Sequence, residues 1–184
     1  MLNAESTESI NNLLVRCVLK DATAFESLYK LTSPKLFSIS LRIVKKQEWA
    51  EEILQEGFIN IWNNADQFRG DKASAMTWMT RIMRNKAIDH IRKKPQNEIQ
   101  DEGVLDTVVS GTSGPLDHLF DADTTDALQK CLDELDNSQK NAINMAYFQG
   151  LTHQELSESL DTPMGTIKSW IRRGLQKLKG CLSL

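Results

Sequence analysis

An all-α fold of two helical domains is what this sequence predicts, and three observations predict it. Apolar residues recur at helical spacing, as in Leu54, Phe58, Ile61 and Trp62 at i, i+4, i+7 and i+8. No dipeptide with a hairpin-turn signature separates alternating apolar runs, so strands are not suggested. Residues 95–123 have no helical period but contain three glycines and two prolines, which reads as a linker. The expected layout is a helical domain at 8–94, an acidic flexible linker at 95–123 and a second helical domain at 124–184.

The net charge of −3 hides a pattern. Residues 1–94 carry a balance of +4, residues 95–123 carry −7 with no basic residue, and residues 124–184 balance to zero. A slightly acidic total therefore does not argue against nucleic acid, because binding depends on where the charge sits. No apolar run approaches ~18 residues, so no membrane span is expected. The polar N-terminus MLNAESTES lacks the layout of a signal peptide, and a cytoplasmic protein is expected. The three cysteines lie far apart without metal-ligand spacing. The histidines are scattered and read as ordinary polar residues. No metal, cofactor or catalytic residue is expected.

In the first domain, Asp21 can cap a helix carrying Phe25, Leu28 and Tyr29. Ser33-Pro34 is expected to start another, with Leu36, Phe37, Ile39, Leu41, Ile43 and Val44. A third helix spans roughly residues 48–63. Opposite its apolar face, Glu52, Gln55, Glu56 and Asn63 cluster around Ile59, a pattern that suits docking of a basic partner. The plain alternative is a solvated polar face with one stray apolar residue. After a Gly-containing loop comes a long helix, about 75–94, with six basic residues and one acid, Asp89. Trp78, Met79, Ile82, Met83 and Ile91 supply its buried side; Trp78 is read as core rather than as a base-stacking platform. A basic helix beside such a loop suits a single strand of nucleic acid with a base turned into a pocket.

The second domain ends in LTHQELSESLDTPMGTIKSWIRRGLQKLK, residues 151–179, which reads as a helix-turn-helix. Thr152 and Glu155 form a capping-box pair. Asp161-Thr162-Pro163 breaks the first helix, and Thr162 is expected to cap the next, with Pro163 at its first position. Ile167, Ile171, Leu175 and Leu178 are the expected core stripe. Lys168, Ser169, Arg172 and Arg173 face away from it, and no acid follows Pro163. A second helix with a cationic face suits a DNA major groove; the plain alternative is a solvated basic face. Cys131 belongs to the stripe Leu128, Cys131, Leu132, Leu135, and Cys181 flanks the end of the last helix. In a compact four-helix domain these two can come within disulfide reach, with Cα atoms no more than about 7 Å apart. The alternative is two small apolar residues left reduced in a core.

Four blocks together resemble the extracytoplasmic-function (ECF) family of bacterial RNA polymerase sigma factors. AEEILQEGFINIW, residues 50–62, is similar to the family's region 2.2. QFRGDKASAMTWMTRIMRNKAIDHIRK, residues 67–93, is similar to regions 2.3 and 2.4. LDELDNSQKNAINMAYFQGLTHQELSESL, residues 132–160, is similar to region 4.1 and the first helix of the helix-turn-helix. TPMGTIKSWIRRGLQKLKGCL, residues 162–182, is similar to the recognition helix and tail, closest to a branch that includes SigK-like members.

The resemblance implies the partners and the sites. Core RNA polymerase is the first partner, with Glu52, Gln55, Glu56 and Ile59 docking on the β′ coiled coil and further contacts to the β subunit. Promoter DNA is the second. A flipped minus-10 base is expected beneath the loop at 68–76, with Phe68, Arg69, Gly70, Asp71, Lys72 and Ser74 around it. Arg84, Asn85, Asp89 and Arg92 match the family's helix beside that strand. Thr166, Lys168, Ser169, Arg172 and Arg173 fall where the family meets the minus-35 duplex. The linker is expected to thread toward the polymerase active-site channel. A cognate anti-sigma factor, in many members membrane-anchored, is implied through the family alone. So is a nucleoid location when active, or a place at the inner membrane when inhibited.

Two features depart from the family. Trp170 stands where many members have Arg, and Ser157 replaces the usual small Ala. Two other function classes compete. A stand-alone regulator with a sensing domain would not need the carboxylate-ringed Ile59 and would not co-purify with core polymerase. An enzyme would need a nucleophile–base pair, metal spacing or a phosphate-cradling loop, and none is seen.

Overall fold

The computed structural model describes residues 4–93 and 122–182. The chain divides into two compact units, Met1–Leu119 and Phe120–Leu184. Every regular element among the described residues is a helix. The expected linker lies outside the described residues, except that Ala122 and Asp123 open a helix.

The first unit contains α1 (Ala4–Val18), α2 (Ala22–Val44), α3 (Gln47–Asn63), a 3-10 turn (Ala65–Gln67) and α4 (Ala75–Lys93). Helix α1 was not anticipated from the sequence, although Ile10, Leu14 and Cys17 stand at i, i+4 and i+7 and are all buried. Asp21 caps α2 as expected: its Oδ1 accepts the Ala24 N–H at 3.0 Å, while Oδ2 pairs with Arg16 at 2.6 Å. These bonds hold the Asp21 carboxyl below the usual range.

Ser33-Pro34 does not start a new helix; α2 runs through it to Val44. Pro34 is exposed, and α2 absorbs both the lost ladder bond and the crowding of the ring against the carbonyl one turn back. The buried Thr32 and Ser40 hydroxyls donate back to the Leu28 and Leu36 carbonyls at 2.7 and 3.1 Å. Packing of α2 on α1, α3 and α4 outweighs the local break. The helix ends where Lys45 turns left-handed at φ 59° and its N–H reaches the Leu41 carbonyl.

The core of this unit includes Leu14, Leu28, Leu36, Ile61, Met79 and Met83, all fully buried. Each such side chain contributes roughly 1.5–3 kcal/mol. Phe25 meets Phe58 edge-on at 6.0 Å and Trp62 at 4.9 Å, which locks α2 against α3. Gly57 leaves room for the Met83 thioether, so α4 packs close to α3.

The second unit contains α5 (Ala122–Asp133), α6 (Asn137–Phe148), α7 (His153–Ser159) and α8 (Met164–Cys181). Helix α8 packs on α5, α6 and α7. Leu156 and Ile167 are fully buried where α7 meets α8.

Candidate nucleic-acid and partner interfaces

On α3, burial of Ala50, Ile53, Leu54, Gly57, Phe58 and Ile61 turns the other side outward. Glu52, Gln55, Glu56 and Ile59 come together on that exposed side, and Ile59 is 61% exposed. Glu56 is not alone there. Its Oε2 lies 2.9 Å from Lys86 Nζ on α4, and this contact holds the Glu56 carboxyl below the usual range. From the sequence, Lys86 reads only as one cation of a basic helix.

The loop between α3 and α4 is built by its own backbone. The 3-10 turn closes with Gln67 and Phe68 N–H groups donating to Asn64 and Ala65 carbonyls. The Arg69 guanidinium donates to the Asp66 carbonyl at 2.8 Å and the Phe68 carbonyl at 3.2 Å. Arg69, Gly70, Asp71 and Lys72 are exposed. Phe68 is half-buried, its ring 5.9 Å from that of Trp78, which belongs to the core.

The loop is shorter than its expected span of 68–76. Ser74 ends it by accepting the Thr77 N–H at 3.2 Å, and Ala75 and Met76 are buried in α4. Further along α4, Asn85, Asp89 and Arg92 are exposed and Arg84 is half-buried. Arg84 and Arg92 flank the buried Ile88 at i−4 and i+4, and Asn85 and Asp89 lie opposite the buried Met79 and Met83. His90 packs against Trp49 at 5.1 Å between ring centres.

The helix-turn-helix forms with one correction at its turn. The capping box is complete: Glu155 N–H donates to Thr152 Oγ1, and Thr152 N–H donates to the Glu155 carboxylate. Thr162, however, does not cap α8. Its hydroxyl donates back to the Leu160 carbonyl at 2.9 Å, and its own carbonyl accepts from Ser157 at 2.6 Å. Pro163 is extended, at ψ 136°, so α8 begins one residue later, at Met164. Asp161 sits at φ 44°, a left-handed position that Asp tolerates.

The core stripe of α8 also differs from the expectation. Leu175 is 52% exposed, whereas Gly174 is buried under Ile143. At about 100° per residue, position 174 returns to within about 20° of Ile167, while 175 drifts about 80° away. On the far side Lys168, Arg172 and Arg173 are exposed, and Thr166 and Ser169 are half-buried. Lys177 reaches Asp136 at 3.4 Å. Trp170 joins Asn137, Ser138, Asn141, Leu160 and Thr162 around a shallow depression of about 260 Å³.

Cys131 and Cys181 are joined as a disulfide with Cα atoms 5.8 Å apart, tying α5 to the end of α8. Cys131 is buried and Cys181 exposed. Among the described residues no cluster of His, Cys, Asp and Glu has the arrangement of a metal site. None of the described helices is long and apolar enough to cross a membrane.

Comparison with known proteins places two family models on the chain. Sigma-70 region 2 matches residues 28–96, and Sigma-70, region 4 matches residues 125–178. Together they span more than half of the chain. An ECF RNA polymerase sigma factor SigK from Mycobacterium sp. (strain KMS) is 28% identical over 182 residues, covering 97% of this chain and 93% of the relative. One of the same description from Mycobacterium tuberculosis (strain ATCC 25618 / H37Rv) is 28% identical over 179 residues, covering 97% and 96%. Among solved structures, Rhodobacter sphaeroides SigE in complex with the anti-sigma ChrR is similar, at 28% identity and a TM-score of 0.48. That match covers 95% of this chain and 98% of that one.

Proposed function

The chain belongs to the ECF group of sigma-70 RNA polymerase sigma factors, and we propose that it seats on core polymerase through α3 and reads promoters at two elements. It is not an enzyme. It confers promoter specificity on core polymerase, which carries the chemistry of RNA synthesis.

Glu52, Gln55, Glu56 and Ile59 dock on the β′ coiled coil. The carboxylates steer the encounter with a basic surface, and Ile59 adds buried apolar area once contact is made. The loop at 68–74 and the α4 residues Arg84, Asn85 and Arg92 hold the minus-10 strand, with one base flipped out of the stack. Lys168, Ser169, Arg172 and Arg173 enter the minus-35 major groove, and Thr166, in the first turn of α8, meets phosphate.

The protein works in the cytoplasm, on the nucleoid when active. A cognate anti-sigma factor, membrane-anchored in one arrangement, holds it inactive. The anti-sigma complex of the Rhodobacter relative names that kind of partner for the relative.

The observation that carries the reading is α8, which buries Ile167 and Gly174 and exposes Lys168, Arg172 and Arg173 with no acid on the helix. Run-off transcription with core polymerase and a promoter library tests it. Initiation should depend on this chain and select templates sharing one minus-35 and one minus-10 sequence. Starts that are unselective, or independent of the chain, would refute the reading.

A further inference from the structure

We infer that α1 is a brace for promoter reading: Asn11 and Lys20 are positioning residues that pin the two ends of the loop at 64–74. The inference rests on the proposed role of that loop in holding the minus-10 base. The region 2 match begins at residue 28, so α1 lies outside it.

A loop that discriminates one base from another has to hold its shape. Its two ends here are helix termini, which leave backbone groups unpaired. The last turn of α3 has a free carbonyl at Trp62, and Lys20 Nζ donates to it at 2.8 Å. The same ammonium lies 5.1 Å over the Trp62 ring. A cation at a helix C-terminus is also favoured by the dipole. At the other end, the first N–H of α4, that of Ala75, donates to Asn11 Oδ1 at 2.7 Å. Asn11 thus adds to the cap that Ser74 supplies one turn further on.

Asn11 lies on α1, and Lys20 lies in the turn that follows it. Ile10, Leu14 and Cys17 sink α1 into the core, and α1 packs on both the 3-10 turn and α4. Lys20 itself is held at φ 59° in the tight turn between α1 and α2, where its N–H bonds the Cys17 carbonyl. The two residues make contact with the backbone of Trp62 and Ala75 and with the Trp62 ring. They act through the backbone from which Phe68, Arg69 and Lys72 project.

The test uses the full chain with core polymerase and templates carrying each of the four bases at the flipped minus-10 position. Asn11→Leu and Lys20→Met should each lower the preference for the best base by about fivefold, the scale of a lost helix cap, while minus-35 preference and polymerase affinity stay within about twofold. Asn11→Asp keeps the acceptor and Lys20→Arg keeps a donor, so both should restore the preference. Amide exchange should quicken at 64–76 and stay unchanged in α2. Unchanged base preference in Asn11→Leu and Lys20→Met overturns the inference if an exchange of residues 68–74 does alter it. Loss of minus-35 preference and of α2 protection in parallel also overturns it, because the residues are then merely structural. If the loop exchange itself alters nothing, the reading of the loop fails. The brace for promoter reading then falls with it, and faster amides at 64–76 in Asn11→Leu and Lys20→Met would show only that the two residues hold the ends of the loop.

Discussion

Lys86 on α4 reaches across to Glu56 on α3, with Nζ 2.9 Å from Oε2. One carboxylate therefore serves two surfaces, the outer face of α3 and the basic helix beside the loop. The pair is substantially exposed, so its own contribution to stability is about 0–1 kcal/mol. Its folded pKa is depressed, so that contribution is present at neutral pH and fades as pH falls through the lowered value.

Docking through α3 is tested by charge. Glu52→Lys with Glu56→Lys should abolish capture of core polymerase while the helical circular dichroism and melting temperature stay close to the parent's. Lys86→Ala should leave capture intact or stronger, because it frees Glu56 for the partner. Undiminished capture by the double variant would mean that polymerase docks elsewhere.

Minus-35 reading divides the basic residues of α8 into two kinds. Arg172→Ala and Arg173→Ala should each weaken selection of the correct sequence by about 1–3 kcal/mol, as for a lost base contact. Lys168→Ala should do the same. Lys179→Ala should weaken all sequences alike and reduce the salt slope. Lys177 is already partnered by Asp136, so its removal should matter less than that of Lys179. Binding measured on a set of base-substituted duplexes at several salt concentrations separates these effects.

The close approach of α3 and α4 depends on Gly57. A Cβ there would collide with the Sδ and Cε of the fully buried Met83. Gly57→Val should cost about 1–3 kcal/mol, read as a lower urea midpoint. Gly165→Ala is the counterpart: nothing lies within 4 Å of its Cβ position, and helix propensity should raise stability by up to about 1 kcal/mol.

The Cys131–Cys181 bond closes a separation of 50 residues and constrains α5 against α8. Reduction should lower the stability of the second unit by about 2–4 kcal/mol, seen as an earlier denaturation midpoint with dithiothreitol. Cys181→Ser should abolish the effect of the reductant, and mass spectrometry after mild oxidation should find the 131–181 cross-link in the parent. An identical midpoint with and without reductant would show that the bond carries no stability.

Sequence by itself determined the helical class, the positions of α3, α4, α7 and α8, and the family. Each rests on neighbours within a few turns. The Thr152–Glu155 capping box, the period of Leu54, Phe58 and Ile61, and the acid-free run after Pro163 are all local, and local chemistry is written in order along the chain. The exposed ring at Glu52, Gln55, Glu56 and Ile59 was legible for the same reason, as the side of α3 opposite its apolar period. Helix α1 carried the same kind of signal in Ile10, Leu14 and Cys17, and it was missed beside a polar N-terminus.

Only the tertiary structure decided the pairings. Glu56 and Lys86 are 30 residues apart, Asn11 and Ala75 are 64 apart, and no periodicity connects them. It also decided where the local expectations give way. Pro34 yields to the packing of α2, Thr162 gives its hydroxyl to Leu160 rather than to α8, and Gly174 takes the buried place expected of Leu175. For Pro34 the local cost is a few kcal/mol and the surface buried by the whole helix outweighs it, whereas Gly174 takes its place from the helical period and Thr162 from the turn's own hydrogen bonds.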